Sequence, residues 1–301
     1  MTLQISHLSK VYPNGVRALD DLSLEIGRGM FGLLGPNGAG KSSLMRTIAT
    51  LQRPDSGQLF FEGINLLEDK MALRKILGYL PQEFGVYPKV SAERLLDYFA
   101  RLKGVASRKE RSLLIDEVLA ITNLQDVRRK HVSSYSGGMK QRFGIAQLLL
   151  NRPRLIIVDE PTAGLDPAER VRFLNILREI GTQSTVIFST HIVEDVRNLC
   201  QDLAIINKGR LLLKSQPDAA LQQLNGQVWT RKIDREQLAQ AQQDFTVLSS
   251  AYNLDNSLQI RVWSLQAPTD EFEPMDPQLE DVYFLSLLQS QTDLSHHSTT
   301  A

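Results

Sequence analysis

The sequence predicts an α/β protein with a mostly parallel core sheet, an N-terminal antiparallel β subdomain, a helical subdomain and a small α/β C-terminal extension. Short apolar segments such as "GMFGLLG" and "LIIVDEP" predict buried strands, and segments with helical apolar spacing lie between them. Strands that alternate with helices favour a parallel sheet. The opening segments "LQISHLSKVY" and "RALDDLSLEI", joined by the turn "PNG", instead predict an antiparallel hairpin.

Charge is distributed unevenly along the 301 residues, although Lys+Arg and Asp+Glu both number 34. From residue 216 onward there are 12 acidic and 4 basic residues. This shift and the turn-forming segment "SQPD" predict a domain boundary near residue 215. We therefore predict a main domain at 1–215 with a helical part at about 84–135, an accessory domain at 216–286 and a polar, disordered tail at 287–301.

Cysteine content and hydropathy restrict the class of protein. A single cysteine, Cys200, excludes an intramolecular disulfide, and we expect it to be a small buried hydrophobe. The N-terminus lacks a signal-peptide pattern, and no run approaches the about 18 to 20 apolar residues that span a bilayer. We therefore expect a protein that reaches a membrane only through a partner, and the zero formal charge gives no indication of a nucleic-acid partner.

Two helical segments have apolar faces that we expect to be buried. In "KSSLMRTIATL" the face comprises Leu44, Ile48 and Leu51. In "SAERLLDYFARLKG", the first of two amphipathic helices in the helical part, the face comprises Leu95, Leu96, Phe99 and Leu102. In the extension, we expect Trp229 and Trp263 to belong to the core.

The segment "GLLGPNGAGKSSLMR" contains the most specific local pattern. Its part "GPNGAGKS" matches G-x-x-x-x-G-K-[ST] at Gly35, Gly40, Lys41 and Ser42. Glycines in such a loop let backbone N–H groups face phosphate oxygens, and the helix that follows directs its positive end at the same anion. We predict that Lys41 neutralises the β- and γ-phosphates of a nucleotide and that the Ser42 hydroxyl binds Mg²⁺.

The apolar strand "LIIVDE" ends in two carboxylates. Asp159 is expected beside the phosphate loop, where it would hold Mg²⁺ directly or through water. Glu160 is expected to face the γ-phosphate and polarise an attacking water. Such a pair could also merely cap the next element, but the phosphate loop in the same chain favours the catalytic interpretation.

These motifs, together with five further segments, resemble the ATP-binding subunit of ABC transporters over residues 3 to about 215. The segments are "LPQEFGVYP", "SYSGGMKQR", "AGLDP", "STH" and the end of the first strand. They correspond to Gln82 of the Q-loop, Ser136, Gly137 and Gly138 of the signature, Asp166 of the D-loop, His191 of the switch and Tyr12, the aromatic residue that stacks on adenine.

The resemblance implies a P-loop NTPase fold of the ABC type and ATP hydrolysis, with ATP and Mg²⁺ as ligands. Catalysis would depend on Lys41, Glu160 and His191. Mg²⁺ would be held by Ser42, Gln82 and Asp159. The ATP-binding positions that the resemblance implies are Tyr12, Gly35, Asn37, Gly38, Ala39, Gly40, Lys41, Ser42, Ser43 and Gln82.

The resemblance also implies a head-to-tail homodimer with ATP at the interface. Ser136, Gly137 and Gly138 would contact the ATP of the other subunit, so that hydrolysis and phosphate release open the dimer. The signature departs from the family at Tyr135, where leucine is common, and at Met139, where glutamine is common. Because the serine and both glycines are retained, we expect an active site.

The helical part and the closing "LEDVY" segment resemble the branch that serves two-part ABC-2-type exporters. This implies a separate transmembrane permease and a peripheral position on the cytoplasmic face of the membrane, with docking near Phe84, Val86 and Tyr87. Three alternatives remain: an importer subunit, a soluble ABC ATPase acting on ribosomes or DNA, and a nucleotide-binding scaffold without turnover. The transported substrate is not encoded here, because the permease selects it.

Overall fold

The computed structural model describes residues 1–82, 85 and 89–298, and the side chains of these residues up to residue 291. Its strands are β1 Leu3–Val11, β2 Arg17–Ile26, β3 Gly29–Leu34, β4 Ser56–Phe61, β5 Ile64–Asn65, β6 Leu77–Leu80, β7 Leu155–Asp159, β8 Thr185–Thr190, β9 Asp202–Asn207, β10 Arg210–Ser215, β11 Val228–Ile233, β12 Thr246–Tyr252, β13 Leu258–Trp263 and β14 Glu273–Pro274. Its helices are α1 Lys41–Ile48, α2 Lys70–Ile76, α3 Ala92–Leu102, α4 Arg108–Ile121, α5 Gly137–Leu149, α6 Pro167–Gly181, α7 Val193–Leu199, α8 Pro217–Gln223, α9 Leu238–Asp244 and α10 Leu279–Ser298. Within these described residues, no helix combines the length and apolar character that crossing a bilayer requires.

The central sheet has the strand order β10-β9-β3-β8-β7-β6 and is parallel except for the β9–β10 hairpin. The prediction of a mostly parallel core sheet is therefore confirmed. Because parallel strands end at the same edge, the segments after β3, β7 and β8 lie together. Those segments carry the phosphate loop, Glu160 and His191.

The core sheet is covered on both faces. Along β3, Met30 and Leu34 belong to one hydrophobic cluster, whereas Phe31 and Leu33 belong to another. Helices α5, α6 and α7 cover the first face, and α1 packs on the second together with a sheet of order β2-β1-β4-β5. Burial on both faces explains why β3, β7 and β8 have continuous apolar sequences. The antiparallel pairing of β1 and β2 confirms the predicted hairpin.

Helices α3, α4 and α5 share a third hydrophobic cluster, which forms the core of the helical subdomain. Leu95 and Leu96 are buried in it as predicted, but Leu102 is 66% exposed because it is the last residue of α3. Leu51 is likewise 65% exposed, since α1 ends at Ile48 and Thr50 turns the chain with a φ of +55°. The prediction that Leu51 and Leu102 each belong to the buried face of their own helical segment is wrong.

The extension contains a second antiparallel sheet of order β12-β13-β11-β14, as well as α9. Trp229 and Trp263 are partly buried against its core and the main core, respectively. Helices α8 and α10 pack elsewhere, because Leu224 and Val282 belong to the same hydrophobic cluster as α7 and β9. The chain is therefore joined across residue 215 by a continuous core.

Helix α10 continues to Ser298, whereas the sequence analysis placed a disordered tail from residue 287. Leu285 is buried and Leu288 packs against the main cluster. These contacts extend the helix beyond the point at which its composition becomes polar. The single cysteine, Cys200, is 7% exposed, which confirms its expected burial, and burial raises the pKa of its thiol.

Candidate functional site

The phosphate loop connects β3 to α1 and depends on glycine at three positions. Gly38 and Gly40 have φ values of +80° and +107°, a region that favours glycine. A Cβ at Gly40 would lie 2.4 Å from the carbonyl oxygen of Ala18. A Cβ at Gly35 would lie 2.4 Å from the carbonyl oxygen of Ile206. The loop therefore fits closely against both neighbouring sheets.

This loop forms the floor of a cavity of about 470 Å³, a volume typical of small-molecule and cofactor sites. All the predicted ATP-binding residues except Gly35 line it, although they come from several separate elements. The lining residues are Tyr12, Val16, Ala18, Pro36, Asn37, Gly38, Ala39, Gly40, Lys41, Ser42, Ser43, Gln82 and Glu160.

Lys41 is the buried cation of the cavity, with 5% of its side chain exposed. Its Nζ donates to the carbonyl oxygens of Gly35, at 2.7 Å, and Pro36, at 3.3 Å. The same atom lies 3.4 Å from Oε1 of Glu160. An ammonium group held in this way is fixed over the loop, where the phosphates of a nucleotide would lie.

Glu160 lies between two basic groups at the end of β7. Its Oε1 faces Lys41, and its Oε2 lies 3.4 Å from Nδ1 of His191. Its φ of +44° is unusual for a residue other than glycine, and its N–H donates to both the carbonyl and the hydroxyl oxygen of Ser189. This backbone conformation directs the carboxylate into the cavity, as the catalytic interpretation requires.

Asp159 is 3% exposed, and its Oδ1 accepts a 2.6 Å hydrogen bond from the Ser189 hydroxyl. Ser189 therefore holds the Asp159 carboxylate and the Glu160 backbone N–H, and the sequence analysis did not single it out. Its position opposite Asp159 in the parallel register of β7 and β8 is the signal that would have identified it.

The oxygen-rich donor set around the loop fits a hard cation. Ser42 and Gln82 line the cavity, and the Asp159 carboxylate is at the adjacent strand end. Among the described residues, no group of three His, Cys, Asp or Glu side chains could hold a metal by itself. A magnesium ion here would therefore take its other ligands from phosphate and water, which is its usual pattern beside nucleotides.

Tyr12 lines the cavity, and its hydroxyl is fixed by two hydrogen bonds. Its partners are Oγ of Ser43, at 3.0 Å, and Oε1 of Gln52, at 2.9 Å. The Gln52 amide in turn donates to the carbonyl oxygen of Ser43 and to the Thr47 hydroxyl. The sequence analysis missed Gln52, and stacking of Tyr12 on adenine stays a prediction.

The signature segment lies at the start of α5 and does not line the cavity of its own chain within the described residues. Ser136 is the N-cap, and its Oγ accepts a hydrogen bond from the Met139 N–H at 3.2 Å. Ser136 and Gly137 are exposed, and nothing lies within 4 Å of a Cβ built on Gly137. The helix start is thus an accessible group of N–H donors, suited to an anion.

The two departures in the signature have packing explanations. Tyr135 is 4% exposed, and its hydroxyl donates to the carbonyl oxygen of Val127 at 2.9 Å. Burial raises the pKa of Tyr135 to about 12, so the hydroxyl stays neutral. Met139 is partly buried against the helical cluster. Both side chains therefore serve the helical core, and Ser136 remains free to cap the helix.

Comparison with known proteins identifies the family of this chain. The sequence matches the ABC transporter family over residues 19–163. It is 36% identical over 232 residues to the uncharacterized ABC transporter ATP-binding protein YxlF of Bacillus subtilis (strain 168), covering 77% of this chain and 76% of that protein. The chain belongs to the ABC transporter ATP-binding proteins. It is an ATP-binding ATPase with a P-loop NTPase fold.

Further relatives of this ABC ATPase differ in their transport roles. It is 35% identical to the daunorubicin resistance ATP-binding protein DrrA3 of Streptomyces coeruleorubidus, over 67% of the chain and 64% of that protein. It is 33% identical to the methionine import ATP-binding protein MetN of Helicobacter hepaticus, over 70% of this chain and 62% of that protein. Among solved structures, cbiO1 from Clostridium perfringens, part of the ABC transporter complex cbiONQ, matches with a TM-score of 0.67 and 28% identity, over 72% of this chain and 89% of that one.

Two ion-pair networks of this ABC ATPase connect its motifs, and the sequence analysis missed both. Arg142 of α5 is buried and bonds Glu169 of α6 at 3.1 Å, and Glu169 donates its N–H to Asp166 of the D-loop. A Cβ on Gly138 would lie 2.6 Å from the Glu169 carboxylate. Glu169 therefore contacts the signature helix through its carboxylate and the D-loop through its backbone N–H.

The second network connects the segment after His191 with α6. Asp195 is 2% exposed and accepts hydrogen bonds from the Thr162 hydroxyl and from the Arg170 guanidinium. Thr162 follows Glu160 by two residues, so the network ties the segment after Glu160 to the segment after His191. Neither contact could be assigned from sequence spacing.

Replacing Arg142 with methionine is expected to lower the free energy of unfolding by about 3 to 5 kcal/mol, because it leaves Glu169 without its buried partner. Arg142 also loses its hydrogen bonds to the carbonyl oxygens of Thr122 and Asn123. Urea denaturation of both proteins measures the difference. The matched control is Arg172→Met, since Arg172 pairs with the same carboxylate but is 60% exposed. Its effect should be at most about 1 kcal/mol, and equal effects would contradict the prediction.

Proposed function

We propose that this ABC ATPase dimerises head to tail on ATP and powers export by a separate ABC-2-type transmembrane permease. One observation carries the dimer. The start of α5 is exposed and rich in N–H donors, yet the signature does not line the cavity of its own chain within the described residues. Because the signature lies away from the cavity of its own chain, its N–H donors would bind the phosphates of ATP held by a second subunit.

We assign direct roles in hydrolysis to Lys41 and Glu160, which line the cavity, and to His191, which lies 3.4 Å from Glu160. Lys41 holds the β- and γ-phosphates, as the fixed position of its Nζ favours. Glu160 polarises the attacking water, and His191 orients the γ-phosphate from the other side of that carboxylate. Bound Mg²⁺, held by Ser42, Gln82 and Asp159, would neutralise phosphate charge.

Hydrolysis then changes the affinity between subunits. While the γ-phosphate is present, its charge is shared between the phosphate loop of one subunit and Ser136 of the other. Loss of phosphate removes this shared contact, so the dimer opens. Glu169 lies beside Gly138 and bonds Asp166 of the D-loop, which supports movement of the signature helix and the D-loop together.

Export is supported by the resistance role in the name of DrrA3, and a transporter complex by that of cbiO1. The permease would hold the chain at the cytoplasmic face of the membrane. The docking positions expected from the sequence, Phe84, Val86 and Tyr87, lie outside the described residues. Import is the second candidate, because MetN is almost as similar in sequence. Co-purification of a substrate-binding protein with the complex would favour import.

Mixing two inactive variants tests the composite site. Lys41→Gln removes the phosphate-loop cation, and Ser136→Arg blocks the signature, so each homodimer has two defective sites. A heterodimer has one intact site, formed by the phosphate loop of the Ser136→Arg subunit and the signature of the Lys41→Gln subunit. An equal mixture should therefore recover about a quarter of the unaltered ATPase rate.

The control mixes each variant with an equal amount of an unrelated inactive protein, which should recover nothing. An activity equal to the sum of the separate variants would show that the sites are complete within one chain. The proposed dimer would then be wrong, whereas the assignment of the chain as an ATPase would stand.

A further inference from the structure

The helical subdomain contains a cleft that is separate from the nucleotide cavity and has a larger volume. It has a volume of about 840 Å³ and lies between α3, α4 and the loop at 128–131. Its lining residues are Lys89, Ser91, Glu93, Arg94, Asp97, Tyr98, Arg101, Arg108, Ser112, Ile115, Arg128, Arg129 and His131. The lining is therefore strongly basic, although the formal charge of the whole chain is zero.

The acidic groups of the cleft are already paired with arginines. Asp97 accepts a hydrogen bond from Nε of Arg111 and forms an ion pair with Arg101, and both distances are 2.6 Å. The Arg111 guanidinium holds the pKa of Asp97 below its ordinary value. Glu93 pairs with Arg128 at 3.0 Å, and Arg128 also binds Asp116. These carboxylates cannot neutralise further cations.

Four cations of the cleft remain without such a partner. Lys89, Arg94, Arg108 and Arg129 are exposed, and none makes an ion pair or side-chain hydrogen bond with any residue that the structure describes. They come from three separate segments, so folding brings like charges together around one space. Their mutual repulsion is relieved by an anion, and arginine forks match the oxygens of phosphate in particular.

Two hydroxyls complete the donor set. Ser91 precedes α3, and its side chain does not cap that helix. Ser112 lies one turn after Arg108 on α4, so both face the same space. Hydroxyls among guanidinium groups can donate to phosphate oxygens that the cations do not reach.

We propose that this cleft binds a phosphate-bearing anion, either the headgroup of an anionic phospholipid or a soluble oligophosphate. The site is independent of the phosphate loop and goes beyond the proposed export function. The protein would then have a second site for phosphate groups, on its helical subdomain. The chemistry is the same for both sources, and the binding probes separate them.

The test uses the full-length protein with saturating ADP, so that the phosphate loop is occupied. Binding is measured to vesicles of phosphatidylcholine alone, to vesicles of phosphatidylcholine and phosphatidylglycerol in equal parts, and to sodium tripolyphosphate by calorimetry. The cleft variant is Arg94→Gln with Arg129→Gln. The matched control is Lys109→Gln with Arg235→Gln, which removes the same charge from exposed positions outside the cleft.

We expect the cleft variant to bind a phosphate probe about 30-fold more weakly, and the control within about threefold of the unaltered protein. Both variants should retain ATPase activity, which reports folding. Preference for phosphatidylglycerol vesicles identifies the lipid source, and binding of tripolyphosphate alone identifies the soluble source. Equal loss in both variants, or no binding of either probe, overturns the proposal. Loss of permease co-purification without any phosphate binding would instead make the cleft a protein-docking surface.

Discussion

Replacing Glu160 with glutamine is expected to lower the rate of ATP turnover by about 10²- to 10⁴-fold, which is the usual contribution of a positioned general base. Glutamine keeps the size of the side chain but cannot accept a proton from water. The carboxylate lies 3.4 Å from both Lys41 and His191, so the substitution removes a charge beside two basic groups. Steady-state phosphate release and equilibrium binding of ATP measure the two consequences separately.

ATP affinity should change by less than about threefold, because the lost group acts on water rather than on the ground-state nucleotide. Glu179→Gln is the control, since Glu179 is an exposed carboxylate of α6 outside the cavity. An unchanged turnover rate in the Glu160 variant would refute its role as the base. Loss of affinity in proportion to turnover would instead assign Glu160 to nucleotide binding.

Replacing Lys41 with glutamine is expected to weaken ATP binding by about 100-fold, because charge-assisted hydrogen bonds to two phosphates are lost. Lys41 is 5% exposed, so water cannot readily replace its ammonium group. The variant also leaves Glu160 without its nearest cation, which increases the repulsion between this carboxylate and the γ-phosphate. Binding of a fluorescent ATP analogue measures the change in affinity.

Lys208→Gln is the matched control for charge. Lys208 is exposed in the β9–β10 turn, whose next residue, Gly209, donates its N–H to Ala39 of the phosphate loop. It is therefore close to the loop in structure but outside the cavity lining. An equal loss of affinity in both variants would mean that net charge, rather than a contact of Lys41, determines ATP binding.

The local motifs could be predicted from the sequence because each motif encodes its own geometry. Gly38 and Gly40 require positive φ values, and the apolar runs of β3, β7 and β8 require burial on both faces. The parallel sheet then places their ends together. For this reason the predicted ATP-binding residues other than Gly35 line one cavity, although they are far apart in the sequence.

Contacts between distant elements could not be predicted in the same way. Arg142 and Glu169 are 27 residues apart on different helices, and spacing does not select one carboxylate among many. The exposure of Leu51 and Leu102 was missed because helical periodicity does not show where the helix and its packing partner end. The helix α8 was missed because it is only seven residues long.

The hydrophobic cluster that crosses residue 215 has a consequence for synthesis of the chain. Leu224, Val282 and Leu285 complete a core whose other members include Val196 and Ile205 of the nucleotide-binding half. While these later residues are still inside the ribosome, the nascent chain exposes the apolar surface that they will cover. This hydrophobic core is therefore completed only after residue 285 has emerged from the ribosome. A fragment that is released before that point would expose apolar surface and be prone to aggregation.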